Sequence, residues 1–202
     1  MTNLAEVDGA AVTAEAAETT RRRLTPKQAA VVDRLVEAAA DDARERGYEG
    51  MTVRSASRRA GVAPATAYTY FASKDHLLAE VLWRRFHALP AEDAGAGPLE
   101  RVTSALGHLG LFMADDPRLA AACTTALLGP GPDVRALRVR FGSELHDRIA
   151  TALGPDADPA VVLGLDLACS GAMLWAGMGH LRYRDVPASL ADVARALLGG
   201  GR

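Results

Sequence analysis

The sequence predicts an all-α protein of about nine helices. Three observations lead to this fold class. Apolar residues recur at helical spacing along most of the chain, capping residues, prolines and glycines separate these stretches, and no segment alternates polar and apolar residues as a strand would. With 202 residues, 49% of them hydrophobic, the chain is long enough to bury a core as one large or two small domains.

The first helix begins at a capping signal. Thr25 is a good N-cap residue, Pro26 suits the first turn, and Gln28 completes a capping box. Gly47 ends the helix. An apolar stripe at the spacing i, i+3, i+4, i+7 lies between these signals, at Val32, Leu35, Val36, Ala39, Ala40 and Ala43.

Two short helices and a longer one come next. Thr52 caps the segment VRSASRRA, which stops at Gly61, and a third helix covers about residues 64–70. Ser73 caps a fourth helix, which Pro90 stops. Two short helices joined by a tight glycine turn form a helix-turn-helix, whose second helix enters the major groove of DNA while the first crosses the backbone.

The C-terminal half also has helical periodicity. Residues 90–98 are predicted to be a linker or loop. Breaks at 115–117, 127–133 and 154–159 separate the helices beyond it, and Pro187 begins the last one. The apolar faces of these helices comprise Val102, Leu106, Leu109 and Met113, then Val134, Leu137, Phe141, Leu145 and Ile149, and finally Leu190, Val193, Ala194, Leu197 and Leu198.

Residues 161–178 form one apolar stretch of nearly bilayer-spanning length. Asp166 lies within it, at a cost of roughly 3 kcal/mol for membrane insertion, and glycines and alanines dilute the rest. We therefore expect a buried helix of a soluble helical domain, with a membrane-associated protein as the alternative.

The charge is unevenly distributed. Residues 21–86 hold 13 Lys and Arg against 8 Asp and Glu, although the whole chain has a net charge of −2. This basic segment is a possible footprint for an anion, although a solvated helix surface has the same composition. Residues 1–24 are predicted to be a disordered acidic tail with no secretory signal, and Cys123 and Cys169 match no metal spacing and suggest reduced thiols.

The region around the turn resembles the DNA-binding domain of the tetracycline-repressor (TetR) family of bacterial transcription regulators. The resemblance covers about residues 26–86. It rests on TVR at 52–54, RAGV at 59–62, TAY at 66–68, YFASK at 70–74, LL at 77–78 and the connection GYEGMTV that begins at Gly47.

The resemblance implies a helix-turn-helix domain over residues 25–88 and a ligand-binding and dimerisation domain over 89–202. Arg54 corresponds to a base-reading residue, and Tyr68 and Lys74 to phosphate contacts. Phe71 and Leu78 are assigned to the core, whereas Tyr70 could serve either the core or a phosphate. The residues expected to contact DNA are Thr52, Arg54, Thr66, Tyr68, Thr69, Tyr70 and Lys74.

The third helix opens on Ala63-Pro64-Ala65, where many members of that family have polar residues. These side chains cannot donate hydrogen bonds to base edges, but they can pack on thymine methyl groups. We therefore expect each half of the DNA site to contain a guanine for Arg54 and nearby thymines.

The resemblance also implies a homodimer formed by the last two helices. Small residues that allow close helix approach and a tryptophan anchor agree with this, and packing within one chain is the alternative. The expected interface residues are Gly164, Ala168, Gly171, Trp175, Leu190, Val193 and Leu197.

A small-molecule cavity in the C-terminal domain is implied as well. The polar residues that could orient a ligand are His108, His146 and Asp166. A carboxylate in an apolar helix needs a partner, and for Asp166 this partner could be the ligand or equally a nearby arginine. The candidate residues of this pocket are Leu106, Leu109, Phe112, Met113, Phe141, Leu145, Asp166, Met173 and Leu174.

The expected function is a cytoplasmic, nucleoid-associated bacterial repressor that a small apolar or amphipathic effector releases from a palindromic operator. A dimeric DNA-binding protein without an effector is the alternative. We expect no enzyme, because the sequence contains no paired catalytic residues and no nucleotide-binding motif, and we expect no metal, cofactor or membrane partner.

Overall fold

The computed structural model describes residues 24–90 and 97–199, without the side chains of Leu109, Leu111, Phe112 and Met113. Three sequence predictions therefore lie outside the described residues: most of the N-terminal tail, most of the 90–98 linker, and the pocket walls Leu109, Phe112 and Met113.

Nine α-helices make up the described part of the chain, which confirms the all-α prediction. No strand occurs in these residues, and a single 3₁₀ turn, Tyr183–Asp185, precedes the last helix. The helices are α1 (Pro26–Gly50), α2 (Val53–Arg59), α3 (Pro64–Tyr70), α4 (Lys74–His87), α5 (Pro98–Ala114), α6 (Pro117–Leu127), α7 (Pro132–Leu153), α8 (Pro159–Gly177) and α9 (Val186–Gly199).

Local hydrogen bonds begin α1 and a glycine interrupts it. The Gln28 backbone N–H donates to Thr25 Oγ1, and the Thr25 N–H donates to Gln28 Oε1, so the predicted capping box is present. Gly47 has φ +69°, a left-handed conformation that glycine adopts without steric cost. The helical path therefore breaks at the predicted residue, and a final turn continues to Gly50.

Caps and a glycine turn also define the next three helices. Thr52 and Ser55 form a reciprocal capping box at the start of α2, and Ser73 accepts from the His76 N–H at the start of α4. Gly61 has φ +65°, so the chain reverses between α2 and α3 at the predicted position. Phe71 is 3% exposed and anchors the end of α3 in the core.

A continuous apolar core runs from α1 to α9. Helix α6 packs against both α1 and α4, so buried residues of the helix-turn-helix region and of the C-terminal region belong to the same cluster. Leu35, Leu77 and Leu78 are fully buried on one side of this junction, and Ile149 is fully buried on the other, with Leu106 1% exposed. The predicted domain boundary between residues 88 and 89 therefore stays a prediction.

Arg148 on α7 binds the C-terminal end of α4. Its guanidinium donates to the carbonyl oxygens of Phe86, His87, Leu89 and Pro90 over 3.2–3.5 Å. It also pairs with Glu144 at 2.8 Å and lies over the Phe86 ring. A helix C-terminus exposes carbonyl groups with no intrahelical partner and partial negative charge, so a cation is stabilising there.

Helix α8 is only partly buried, in contrast to the buried helix that its composition predicted. It is the one described helix long and apolar enough to span a membrane, yet 22% of its apolar window is buried inside this chain. Leu163, Leu167 and Trp175 are 45%, 65% and 60% exposed. The apolar pattern of α8 therefore has two causes: one side packs on α7 and α9, and another side has no partner within the described chain.

Candidate nucleic-acid interface and effector region

Helix α3 presents a small, largely uncharged surface to solvent. Ala67 is fully buried against the helix-turn-helix core, and Tyr70 is half-buried beside it. Tyr68 is 54% exposed, so its hydroxyl is free to reach outward from the domain. The exposed residues of this segment are Ala63, Pro64, Ala65, Thr66, Tyr68 and Thr69.

Two of the threonines predicted to contact DNA also have a structural task. The Thr52 hydroxyl is part of the α2 capping box, and the Thr69 hydroxyl donates to the Ala65 carbonyl at 3.1 Å. Arg54 differs, because its exposed side chain makes no hydrogen bond or ion pair within residues 24–90 and 97–199. The charge of Arg54 is thus available to an external anion.

A buried carboxylate fixes α2 against α1. Asp42 is 1% exposed and accepts a short hydrogen bond from the Ser55 hydroxyl. It also faces Arg46 at 3.2 Å and Arg59 at 3.8 Å, and Arg59 is further paired with Glu45. Since a buried charge is tolerated only with partners, this cluster determines which side of α2 lies against α1.

Lys74 is held against Tyr48 at the end of α1. Its Nζ donates to the Tyr48 carbonyl at 3.0 Å and lies 3.8 Å from the centre of the Tyr48 ring. The Tyr48 hydroxyl donates to Asp75 Oδ1 at 2.6 Å, and this bond to a carboxylate raises the pKa of Tyr48 to about 12. Lys74, the predicted phosphate contact, therefore already has one partner within the chain.

The exposed apolar residues of α8 and α9 form one candidate dimer face. Of the predicted interface residues, Trp175 is 60% exposed, and Val193 and Leu197 are each more than one-third exposed. A Cβ added at Gly164 would come within 3.2 Å of a Leu197 methyl, so this glycine lets α8 and α9 of one chain approach closely.

The other predicted interface residues are less accessible. Leu190 is 1% exposed and belongs to the core of the single chain. Ala168 and Gly171 are half-buried. Leu163 and Leu167, which the sequence analysis did not select, are more exposed and extend the apolar face along α8.

The described residues of the predicted effector pocket differ in their exposure. Leu106 and Leu145 are buried in the packed core, and the Phe141 ring lies 4.3 Å from that of Phe86. Met173 is half-buried, whereas Leu174 is 40% exposed. A helical stripe identifies apolar residues, but it does not separate those that line a cavity from those that fill the core.

Two recesses lie elsewhere. A groove of about 550 Å³ lies between the end of α7 and the start of α8, with His146 on its wall. A cleft of about 280 Å³ lies where Tyr48 and Asp75 meet the end of α6 and the end of α8, with Leu174 on its wall. Each of these two recesses thus includes one residue that the sequence analysis assigned to the effector region.

Asp166 has the partner that the sequence analysis required. Its Oδ2 lies 2.7 Å from His146 Nδ1, across the α7–α8 contact. Its Oδ1 is buried and accepts no hydrogen bond from the described residues. His108, the third polar candidate, is half-buried on α5. No group of three or more His, Cys, Asp or Glu in the described ranges is arranged to hold a metal ion.

The sequence analysis missed the groups that connect distant segments. Asp42, the Tyr48–Asp75 pair and Arg148 all bind partners at least 13 residues away. One signal for Asp42 was available in the sequence. It is a charged residue between Ala39 and Ala43 on the apolar stripe, at a position that the helical period assigns to the core.

Comparison with known proteins agrees with this geometry. Residues 35–81 match the family model described as bacterial regulatory proteins, tetR family. An uncharacterized HTH-type transcriptional regulator of Mycobacterium tuberculosis is 45% identical over 177 residues, which cover 86% of this chain and 83% of the relative.

Two further relatives extend the comparison. The HTH-type transcriptional repressor KstR of Rhodococcus jostii is 33% identical over 129 residues, which cover 62% of this chain and 60% of the repressor. The crystal structure of a TetR transcriptional regulator from Rhodococcus sp. RHA1 has the same fold, with a TM-score of 0.71, 22% identity, and coverage of 88% of this chain and 100% of that one.

Proposed function

Because the chain belongs to the TetR family of transcriptional regulators, we propose that it is a dimeric repressor that a small apolar or amphipathic effector releases from a palindromic operator. The observation that carries the DNA-binding part is the exposed surface of α2 and α3. It combines Arg54, which has no ion-pair or hydrogen-bond partner among the described residues, with the exposed Tyr68 on the recognition helix α3.

Each half of the operator contains a guanine and nearby thymines. An arginine donates two hydrogen bonds to guanine O6 and N7, and apolar side chains pack on the thymine methyl group. Arg54 provides the first contact, and the exposed Ala63, Pro64 and Ala65 provide the second. Tyr68 and Lys74 contact phosphate groups and fix the register of the domain on the duplex.

The operator is palindromic because the protein is a homodimer. The exposed apolar face of α8 and α9 supports this arrangement, since large exposed apolar patches on soluble proteins mark interaction sites. A two-fold axis through that face presents two recognition helices to half-sites about 34–36 Å apart, which is one turn of DNA.

The effector acts through α4. This helix begins next to the recognition helix and ends at the Arg148 contacts of the C-terminal region. A ligand that binds the released conformation more tightly than the DNA-bound one shifts the population away from DNA. The alternative is a repressor without an effector, and ligand-dependent thermal stabilisation distinguishes the two.

The first experiment is a fluorescence-anisotropy titration of the full chain with its own upstream DNA at two salt concentrations. We expect tight wild-type binding with a steep salt dependence, and loss of specific binding only in Arg54→Ala. Absence of salt-dependent binding to the upstream DNA and to random-sequence duplexes would refute the proposed function. A screen of apolar metabolites for release of the bound DNA then tests the effector.

A further inference from the structure

The basic residues of the helix-turn-helix region are not equally available to DNA. Arg44, Arg46, Arg59 and Arg84 are ion-paired with acidic groups of the chain, and Lys74 donates to the Tyr48 carbonyl. A cation that already has a carboxylate partner releases fewer counterions when it meets a phosphate. The basic residues of 24–90 whose side chains make neither an ion pair nor a hydrogen bond with described residues are Lys27, Arg34, Arg54, Arg58 and Arg85.

Helix α2 has two different polar sides. Ser55 and Arg59 lie on the side that contacts Asp42 and Glu45 of α1. Arg54 and Arg58 lie one helical turn apart on the other side, and both are exposed. Although Arg58 and Arg59 are neighbours in the sequence, they therefore lie on different sides of α2, and only Arg59 faces the carboxylates of α1.

We infer that Arg58 is a second DNA-contacting residue of α2 and binds a backbone phosphate beside the base pair that Arg54 reads. This inference rests on the proposed function. The first helix of a helix-turn-helix crosses the phosphate backbone, and side chains one turn apart are separated by about 6 Å along the axis. A guanidinium suits this task, because it donates to phosphate in a bidentate geometry.

The test compares the salt dependence of DNA binding in the wild type, Arg58→Gln and Arg58→Lys. Each phosphate contact contributes about −0.9 to the slope of log Kobs against log salt concentration. We expect Arg58→Gln to reduce the magnitude of the slope by about 0.9 per bound subunit, and Arg58→Lys to retain it. The loss of affinity is the same on upstream DNA and on a random-sequence duplex, because a phosphate contact does not read sequence.

Arg59→Gln is the matched control. It removes the same charge from the neighbouring residue, but this guanidinium is held by Glu45. We expect its slope to change by less than half as much, with circular dichroism showing that both variants are folded.

Equal slope changes in Arg58→Gln and Arg59→Gln would mean a long-range charge effect and would overturn the inference, as would an unchanged slope in Arg58→Gln. In both cases wild-type binding leaves the proposed function intact. A wild type that binds no duplex overturns both.

Discussion

Replacement of Asp42 by alanine is predicted to lower the free energy of unfolding by more than the loss of an exposed ion pair does. The variant loses the hydrogen bond from Ser55 and the charge that faces Arg46 and Arg59. A hydrogen bond to a charged group contributes about 1.5–3 kcal/mol. Part of this loss is offset, because the alanine variant no longer has to remove a carboxylate from water when it folds. Both arginines are partly exposed, so we expect a net loss of about 2 kcal/mol.

Thermal unfolding followed by circular dichroism measures this loss. For a chain of about this length, 1 kcal/mol corresponds to roughly 2–4 °C in Tm, so Asp42→Ala is expected to lower Tm by about 4–8 °C. Asp42→Asn retains an acceptor for Ser55 and should fall between the wild type and Asp42→Ala.

The adjacent Asp41 provides the matched control for that experiment. Asp41 is 51% exposed and pairs with Arg44, which also has Asp116 as a partner. Exposed ion pairs contribute at most about 1 kcal/mol, so Asp41→Ala should change Tm only slightly. A Tm loss in Asp41→Ala equal to that in Asp42→Ala would refute the reasoning, because burial would then make no difference.

Three further predictions concern the dimer, a histidine and the cysteines. Trp175→Arg is expected to convert the dimer to a folded monomer in sedimentation velocity, because Trp175 is 60% exposed on the apolar face; persistence of the dimer at low micromolar concentration contradicts this. Burial lowers the pKa of His76 although Asp133 opposes the shift, so the unfolded chain binds its proton more tightly. Stability should therefore fall as pH drops below about 6.5 and level off below the lowered folded-state pKa, and His76→Gln should remove this component from the pH dependence of Tm. Burial raises the pKa of Cys123 and of Cys169 to about 12, so both thiols should resist iodoacetamide in the native protein at pH 8 and react in denaturant, as mass spectrometry can measure; rapid native labelling of either one contradicts the described burial.

Features that depend on a few neighbouring residues were predictable from the sequence. The caps at Thr25, Thr52 and Ser73 each bind a group three residues away, and Gly61 lies at the turn because glycine adopts positive φ freely. The presence and order of the helices followed from these signals together with the helical period.

Features that depend on packing were not predictable in the same way. The Asp166–His146 pair joins two helices, and nothing in the spacing of the two residues distinguishes His146 from an arginine as the partner. Apolar periodicity placed Leu106 on the inner face of its helix, where it is 1% exposed, but it does not tell whether such a residue lines a cavity. It also grouped Leu190 with exposed Val193, although only the surrounding helices decide which apolar residues are left uncovered.

The contacts of Arg148 have a mechanical consequence for α4. They fix the His87 end of a 14-residue helix, which is about 21 Å long, while the opposite end adjoins the recognition helix. If these hydrogen bonds stay intact while the helix moves, α4 pivots about its contacts with Arg148. A sideways push at the middle of the helix then moves the Lys74 end about twice as far, so a small shift of the C-terminal region is enlarged next to the recognition helix.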